Sequence, residues 1–399
     1  MTAPGSLYIH IPFCAAFCDY CDFYSLKTDG LGGAIIGAFI KALIADINYQ
    51  IEFFGVKEIS TVYIGGGTPS VLGKRLAPLF DALKKIPGFS PVEFTVEANP
   101  ETADEEFLAL CLESGVNRLS LGAQSFHEPS RRAVNRIGDA RMLEKRLALC
   151  SRYFPGSLSA DLITGLPYHN EKIVLDDIKR LLAFGPVHVS LYSLTPESET
   201  PLEEKIKTKT VTLPDRDEAD SLWLAGRDAL LKNGFQHYEV SNFALGGKRC
   251  LHNTIYWQMR GWLGAGPSAS GTVIDEEAGT GKRFTFPGDV EGYIKAPKLI
   301  SVFCEELDSP ALMRESLLMG FRFFEGPDAG LFKSRFGCNI EDCIGRTLSR
   351  WKDRDIMLFL NSFLHDAFQE LEEKEEQRAS HGGTEAQSTR RRGLRNSKS

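Results

Sequence analysis

The chain has 399 residues, with 46 Lys and Arg against 53 Asp and Glu, a net charge of -7 and 43% hydrophobic residues. This composition is ordinary for a globular protein of roughly two to three domains, and it excludes collagen-like, wholly disordered and disulfide-scaffold classes. The mild acidity argues against nucleic-acid binding as the main role. No apolar run reaches the roughly 18 residues of a membrane span, and no signal peptide is evident. We therefore expect a cytoplasmic protein without a membrane span.

The first 240 residues alternate between short strand patterns and longer amphipathic helix patterns. Six runs are rich in Val, Ile, Leu and Tyr and largely apolar on both faces, as buried parallel strands are. They begin at Leu7, Thr61, Val92, Arg118, Leu158 and Val187. Three of the helix patterns are followed by a glycine suited to a helix end, at Gly55, Gly115 and Gly185. The alternation predicts an α/β fold with a parallel sheet, either open or closed into a barrel.

Small or polar residues follow five of the predicted strands. They are the GGGTPS run from Gly65, Glu97, Gln124, Asp161 and Tyr192. In a βα barrel the carboxyl ends of all strands meet at one face, where the active site lies. In an open sheet only the strand ends beside the switch point share a site. Five strands in a row with such residues favour the barrel.

The pattern changes beyond residue 240. Residues 241–300 are rich in aromatic residues and glycine, which predicts a loop-rich region that closes the barrel. Residues 301–370 have helical spacing and predict a small C-terminal helical domain. Residues 371–399 contain no aromatic residue, and a Glu-rich segment leads into a polar, basic end. Such a segment buries too little apolar surface to offset its ordering entropy, so we expect a disordered tail.

Three of the nine cysteines, Cys14, Cys18 and Cys21, lie within eight positions of one another. Three thiolates on one short loop can bind three corners of a 4Fe-4S cluster and leave the fourth iron open to a small molecule. A zinc site with His10 as fourth ligand is the alternative. A closed zinc site usually pairs two short ligand arms separated by a longer span, and none is visible here. The spacing therefore favours a cluster.

The C-x3-C-x2-C spacing after the first strand, with an aromatic residue before the last cysteine, resembles the radical SAM superfamily. This resemblance implies a partial (β/α)6 TIM-type barrel over residues 1–240, a 4Fe-4S cluster, and S-adenosylmethionine (SAM) on the open iron. It implies a SAM site at the matching positions, which are Tyr8, Gly65, Gly66, Gly67, Thr68, Glu97, Gln124, Arg136 and Asp161. An arginine suits the SAM carboxylate. The alternative for Arg136 is a surface position on a helix.

A longer series of motifs, IHIPFC, GGGTPS, LSLGAQSF, DLITGLP, HYEVSNFA and HNTIYW, resembles the oxygen-independent coproporphyrinogen III oxidase group over about residues 7 to 370. Three features are similar to its HemW-type haem chaperone branch. Phe23 stands where the dehydrogenase branch has a further cysteine, the first strand begins at Leu7 without a long extension, and His252–Trp257 matches an HNxxYW motif.

The resemblance implies a haem chaperone that passes haem to acceptor proteins, with a winged-helix-like C-terminal domain and an electron donor if SAM is cleaved. The alternatives are a coproporphyrinogen III dehydrogenase and a radical SAM enzyme that acts on another substrate. A neutral imidazole is a common haem ligand, so His252 is the candidate ligand, with Tyr256 and Trp257 against the porphyrin. Alternatively, His252 binds local polar groups and the two aromatics belong to the core. The rival ligands are His10, His188 and His237.

Overall fold

The computed structural model describes residues 4–297 and 302–393, and it describes side chains as far as residue 376. The elements of the first half are β1 Ser6–Ile11, β2 Phe13–Cys14, β3 Leu26–Lys27, α1 Gly33–Phe53, β4 Ile59–Gly66, a 3-10 helix Pro69–Leu76, α2 Ala77–Leu83, β5 Phe89–Ala98, α3 Glu105–Glu113, β6 Arg118–Gln124, α4 Glu128–Ala133, α5 Ala140–Tyr153, β7 Leu158–Thr164, α6 Glu171–Leu182 and β8 His188–Ser193. They are followed by α7 Pro201–Lys207, α8 Arg216–Lys232, β9 Gln236–Glu239, β10 Asn242–Ala244, α9 Leu251–Trp257, β11 Leu263–Ala265, β12 Ser270–Asp275, β13 Thr280–Thr285, α10 Val290–Lys295, β14 Phe303–Leu307, α11 Ser309–Gly320, α12 Ala329–Phe336, α13 Ile340–Trp351 and α14 Leu360–Gly393.

The main sheet has the strand order β11-β1-β4-β5-β6-β7-β8-β10-β9. The strands from β11 to β8 pair in parallel, and β10 and β9 extend the sheet in antiparallel fashion beyond β8. The six strands expected from the sequence are β1, β4, β5, β6, β7 and β8, which are neighbours in this sheet. Helical connections link them, as parallel strands require. The predicted partial (β/α)6 barrel is therefore confirmed.

The barrel strands differ from the expectation in one respect, since only one face of each is apolar. Side chains alternate between the two faces of a strand. In β4, Val62 and Ile64 are buried in the hydrophobic core with the surrounding helices. The alternate residue Tyr63 donates a hydrogen bond to Glu97 of β5 at 2.6 Å, and Ser159 of β7 pairs with His188 of β8 at 2.7 Å. The helix-facing side is apolar, and the opposite face carries a hydrogen-bonded polar interior.

Helix α1 corrects the expectation about apolar runs. Among the residues that the structure describes, α1 alone is long and apolar enough to cross a membrane, with 21 residues and a mean hydropathy of 1.4. One such helix near an N-terminus is weak evidence for a span. Phe39, Leu43 and Ile47 of α1 are buried in the barrel core. Packing against the sheet accounts for the apolar character of this helix.

The C-terminal region combines a small sheet with helices. Strands β12, β13 and β14 form a three-stranded antiparallel sheet. This sheet crosses residue 300, the expected boundary of the C-terminal helical domain. Helices α11 to α14 share a second hydrophobic core that includes Leu317, Phe332, Ile344, Trp351 and Phe363. A helical C-terminal region is therefore present, while the proposed domain boundaries stay predictions.

The disordered tail expected for residues 371–399 stays a prediction, although α14 spans Leu360–Gly393 and its residues near position 371 pack on α13. Leu371 is buried in the second core. Lys374 donates to the carbonyl oxygens of Asp342 and Cys343, both at 2.9 Å. One leucine and paired charges hold this part of the helix on α13 without an aromatic residue. Residues 394–399 lie outside the described residues.

Candidate functional site

A cavity of about 420 Å³ lies where the barrel strands end, between the cysteine loop and the carboxyl ends of β4 to β8. Its wall contains most of the residues that the sequence singled out. These are Cys14, Cys18, Cys21, Gly66, Gly67, Thr68, Glu97, Gln124, Arg136 and Asp161. Tyr8 and Gly65 are not part of this wall. Gly65 faces the Glu97 carboxylate, and the Tyr8 hydroxyl bonds His10 at 2.9 Å.

The glycine-rich turn after β4 holds the first part of the cysteine loop. The Gly67 amide donates to the Ile11 carbonyl oxygen at 2.9 Å, and the Thr68 amide donates to the Phe13 carbonyl oxygen at 2.7 Å. A Cβ atom on Gly67 would lie 2.7 Å from the Phe13 oxygen and 2.9 Å from the Ile11 oxygen. Only glycine permits this approach of two backbone segments. The turn therefore docks the loop that carries Cys14.

The other two glycines of the turn accommodate different neighbours. Gly66 has a φ of +104°, and a Cβ atom there would lie 2.5 Å from the His10 ring. A Cβ atom on Gly65 would lie 2.8 Å from the Glu97 carboxylate. The resemblance implies that all three glycines belong to the SAM site. The structure adds that each glycine also makes room for a neighbouring part of the protein.

A second set of contacts holds the far end of the cysteine loop. The Asp19 carboxylate pairs with Lys205 at 2.5 Å, and the Asp19 amide donates to the Val134 carbonyl oxygen at 3.0 Å. The Asn135 side chain donates to the Phe17 carbonyl oxygen at 2.8 Å. Sequence reasoning missed these residues, because Lys205 and Asn135 are more than a hundred positions from the loop and belong to no motif. Together they fix the segment that carries Cys18 and Cys21.

Arg136 lies inside the site and not on a helix surface, since it is only 8% exposed. Its Nη2 donates to the Asn99 side chain and to the Gly122 carbonyl oxygen, both at 2.6 Å, and its Nη1 lies 3.4 Å from Cys18 Sγ. Its Nε is buried and has no partner among the described residues. Gln124, on the same wall, has a φ of +65°, a strained conformation of the kind that clusters at ligand sites. The unpartnered Nε can bind an anionic ligand group.

Two carboxyl groups face the cavity beside Arg136. Glu97 accepts hydrogen bonds from the Tyr63 hydroxyl at 2.6 Å and from the Gly66 amide at 3.2 Å. Burial raises the pKa of Glu97 to about 7, and the nearby Asp161 charge adds to the increase. Burial also raises the pKa of Asp161 to about 6. Near neutral pH, both groups can accept hydrogen bonds from hydroxyl or ammonium groups, and Glu97 in its protonated form can donate one.

Comparisons with known proteins agree with this geometry. Residues 8–211 match the family model described as the radical SAM superfamily. Heme chaperone HemW of Lactococcus lactis is 33% identical over 87% of this chain and 89% of its own length. The chain belongs to the HemW family of radical SAM proteins.

Other relatives support the same membership. Heme chaperone HemW of Escherichia coli is 34% identical over 68% of this radical SAM chain and 70% of its own. The mitochondrial radical S-adenosyl methionine domain-containing protein 1 of Bos taurus is 32% identical over 94% of this chain and 82% of its own. The solved structure of E. coli coproporphyrinogen III oxidase (HemN), a radical SAM enzyme, covers 91% of this chain and 90% of its own with a TM-score of 0.74. The sequence identity between the two chains is only 19%, so this likeness shows a shared fold and no more.

Membership of the radical SAM superfamily implies a 4Fe-4S cluster and SAM, and the cavity residues fit both groups. Burial raises the pKa of Cys14 and raises that of Cys21 to about 11, so a bound cation is needed to keep these thiols deprotonated. A cluster binds each thiolate through a different iron. The Nε of Arg136 suits the amino-acid carboxylate of SAM, and the carboxyl groups of Glu97 and Asp161 suit its ammonium and ribose hydroxyl groups.

A zinc site that includes His10 does not fit the described residues. His10 Nδ1 bonds the Tyr8 hydroxyl at 2.9 Å, and its Nε2 bonds the Tyr24 carbonyl oxygen at 3.2 Å. Within residues 4–297 and 302–376, no three His, Cys, Asp or Glu side chains are grouped as one metal ion requires. Both ring nitrogens of His10 therefore serve the protein itself.

The HNxxYW motif forms helix α9 and does not lie in the cavity wall. His252 is fully buried, its Nδ1 bonds the Thr61 hydroxyl at 2.8 Å, and its Nε2 bonds the Tyr256 hydroxyl at 2.6 Å. Burial lowers the pKa of His252 to about 3, so the ring is neutral. Both ring nitrogens are hydrogen-bonded in this structure, and the role of His252 as a haem ligand stays a prediction.

Buried charges hold α9 on the barrel. The Glu93 carboxylate accepts hydrogen bonds from the Leu251 amide at 2.9 Å and from the His252 amide at 2.8 Å. Arg118 lies 3.6 Å from the same carboxylate, and both side chains are at least nine-tenths buried. Thr61, Glu93 and Arg118 belong to the early parts of β4, β5 and β6, whereas the cavity lies at their ends. Helix α9 therefore closes the opposite end of the barrel.

The remaining haem candidates are also engaged in internal contacts. The guanidinium of Arg322 stacks on Trp257, 4.5 Å from its ring centre, and pairs with the buried Glu239. His188 bonds Ser159 and Tyr238. His237 stacks on Phe243 with ring centres 4.4 Å apart and bonds the Val240 carbonyl oxygen. Trp257 thus lies at the contact between α9 and the C-terminal region.

Proposed function

We propose that this protein is a haem chaperone that carries a 4Fe-4S cluster on Cys14, Cys18 and Cys21 with SAM at the open iron. In this proposal it binds haem and passes it to acceptor proteins. One observation carries the proposal, namely the 33% identity to a protein named Heme chaperone HemW over 87% of this chain and 89% of the relative. The proposed location is the cytoplasm, and an electron donor is a further partner if SAM is cleaved.

Each part of the cavity wall has a role in holding SAM under this proposal. Arg136 Nε binds the carboxylate of SAM, and Glu97 and Asp161 accept hydrogen bonds from its ammonium or ribose groups. The turn at Gly66 and Gly67 keeps the cysteine loop beside these groups. When bound and reduced, the cluster held by the three cysteines would supply one electron for cleavage of the sulfonium.

The residue at position 23 favours the chaperone over the dehydrogenase. Phe23 lines the cavity mouth and is 65% exposed. An aromatic ring at this position offers a surface for a planar ligand and has no thiol for proton or electron transfer. The dehydrogenase reading is tested by anaerobic incubation with coproporphyrinogen III, SAM and a reductant. Formation of protoporphyrinogen IX would reject the chaperone proposal.

Haem binding through His252 stays a proposal with a specific requirement. The fully buried ring has to become exposed, and its Nε2 has to exchange its hydrogen bond with Tyr256 for the haem iron. Removing the competing hydroxyl with Tyr256→Phe should therefore strengthen haem binding several-fold, and His252→Ala should weaken it. Thermal unfolding of both variants controls for loss of structure.

Haem titration of the purified, cluster-loaded protein tests the proposed function itself. A saturable shift of the Soret band at one haem per chain, followed by transfer to an apo-haemoprotein, supports it. The absence of a saturable shift in the wild-type protein would reject haem binding. A wild-type shift that both variants retain unchanged would reject His252 as the ligand and leave the chaperone proposal intact.

A further inference from the structure

The corner between α12 and α13 brings two cysteines together far from the cavity. Helix α12 ends at Phe336 and is capped by Gly337, whose φ is +70°. Helix α13 begins with a capping box, in which Asn339 and Asp342 exchange hydrogen bonds between side chain and backbone. Cys338 precedes the cap residue, and Cys343 is the fourth residue of the helix. Cys338 Sγ and Cys343 Sγ are 3.4 Å apart.

These two positions are those of a hydrophobic staple, in which the residue before the cap packs on the fourth helical residue. The staple is ordinarily made by two apolar side chains, and thiols fill the role as small hydrophobes. Here both partners are thiols, so the packing contact can become a covalent bond. The Met313 sulfur lies 3.9 Å from Cys343 Sγ and completes the packing around it.

The backbone around Cys343 is held in place by α14. Ile344 has non-helical angles, φ -131° and ψ 29°, so α13 is kinked directly after Cys343. The kink divides α13 into two halves. At the end of the first half, Lys374 donates hydrogen bonds to the carbonyl oxygens of Asp342 and Cys343. Glu370 accepts from the amide and the hydroxyl of Thr347 in the second half. The short first half of α13 is therefore fixed with the Cys343 side chain against Cys338.

We propose that Cys338 and Cys343 form a reversible intramolecular disulfide by exchange with a low-molecular-weight disulfide of the glutathione class. Cys338 is the partly exposed member of the pair and Cys343 is buried. The Cys338 thiolate attacks glutathione disulfide, forms a mixed disulfide and releases one glutathione thiolate. Cys343, as a thiolate, then attacks Cys338 Sγ and releases the second glutathione. The protein loses two protons and two electrons, and one glutathione disulfide is reduced to two thiols.

The bond would lock the staple and tie the start of α13 to the end of α12. Because α13 shares its core with α11 and α14, oxidation would stiffen the C-terminal helices and leave the barrel cavity unchanged. This inference is independent of the haem proposal, since it concerns residues outside the cavity wall.

Peptide mass spectrometry tests the proposal directly. The cluster-loaded protein is equilibrated anaerobically with mixtures of reduced and oxidised glutathione, alkylated under denaturing conditions, and digested with trypsin. Both cysteines lie in one tryptic peptide, FGCNIEDCIGR from Phe336 to Arg346. The expected result is a peptide that lacks two hydrogen atoms and carries no alkyl group, in a fraction that rises with oxidised glutathione. The exposed Cys304 is the matched control and should gain a glutathione adduct.

Cys338→Ser is the second arm of the experiment, because a serine at this partly exposed position keeps the size of the side chain. Its Cys343 should remain alkylated throughout the glutathione series. The proposal would be overturned if the wild-type peptide stays doubly alkylated at a glutathione ratio at which Cys304 is fully converted to its glutathione adduct. It would also be overturned if the peptide carries two glutathiones. The proposal would also be overturned if both thiols escape alkylation without the loss of two hydrogen atoms, and if a metal chelator makes them reactive again.

Discussion

Replacing Gly67 with alanine tests how the glycine-rich turn holds the cysteine loop. The new Cβ atom would lie 2.7 Å from the Phe13 carbonyl oxygen and 2.9 Å from that of Ile11. Both are backbone atoms, so relief of the overlap has to separate the turn from the loop. That movement breaks the hydrogen bonds from the Gly67 and Thr68 amides. At about 1 kcal/mol for each bond, docking loses roughly 2 kcal/mol, or about 30-fold in its equilibrium constant.

The assay is iron and sulfide content per chain after anaerobic reconstitution, together with the affinity for SAM. Gly67→Ala should lower both, because Cys14 follows the displaced segment. The matched control is Gly37→Ala in α1, where, among the described residues and apart from its chain neighbours and the nearby backbone of its own helix, no atom lies within 4 Å of the added carbon. Alanine at this helical position should raise stability by up to about 1 kcal/mol. Wild-type iron content and SAM affinity in Gly67→Ala would refute the docking role of the turn.

Three further changes probe the polar groups of the barrel and of the C-terminal helices. Glu93→Ala leaves the buried Arg118 unpaired, so the free energy of unfolding in urea should fall by about 3–5 kcal/mol, and an unchanged value would contradict the anchoring of α9. Because burial raises the pKa of Glu97 to about 7, the folded state keeps a proton that the unfolded chain has lost. The stability of the cluster-free protein should therefore fall as the pH rises from about 4.5 to about 7, and an equally steep profile in Glu97→Gln would reject this assignment. Glu370→Ala removes the acceptor for the Thr347 amide and hydroxyl of α13 and should lower the free energy of unfolding, measured by thermal unfolding, by about 2–4 kcal/mol. The control Glu372→Ala removes an exposed side chain and should lower it by under about 1 kcal/mol. Equal losses in the two variants would contradict the role of Glu370 in holding α13.

The sequence predicts the barrel well because its signals are local. Each strand is a short run of buried residues followed by a small or polar residue, and the glycines at positions 55, 115 and 185 do adopt positive φ angles of 63°, 87° and 65°. The residues of the cavity wall were found because they follow strand ends or match a motif. These features depend only on neighbouring positions in the chain.

The missed features depend on contacts between distant positions. Asp19 pairs with Lys205 across 186 residues, and Glu93 accepts from His252 across 159 residues, so no local pattern indicates either pair. The contacts of His252 are a further example. Its motif suggests a ligand, but Thr61 and Tyr256 occupy its nitrogens.

Metal analysis of the reconstituted protein tests the central claim, that the loop of Cys14, Cys18 and Cys21 carries an iron-sulfur cluster. The wild-type protein should contain about four iron and four sulfide per chain, the content of one cubic cluster. Serine at any one of the three positions should abolish this content. Serine at the buried Cys111 should leave it intact. Zinc or no metal in the wild-type protein would contradict the account, as would equal iron in the loop variants and the wild type.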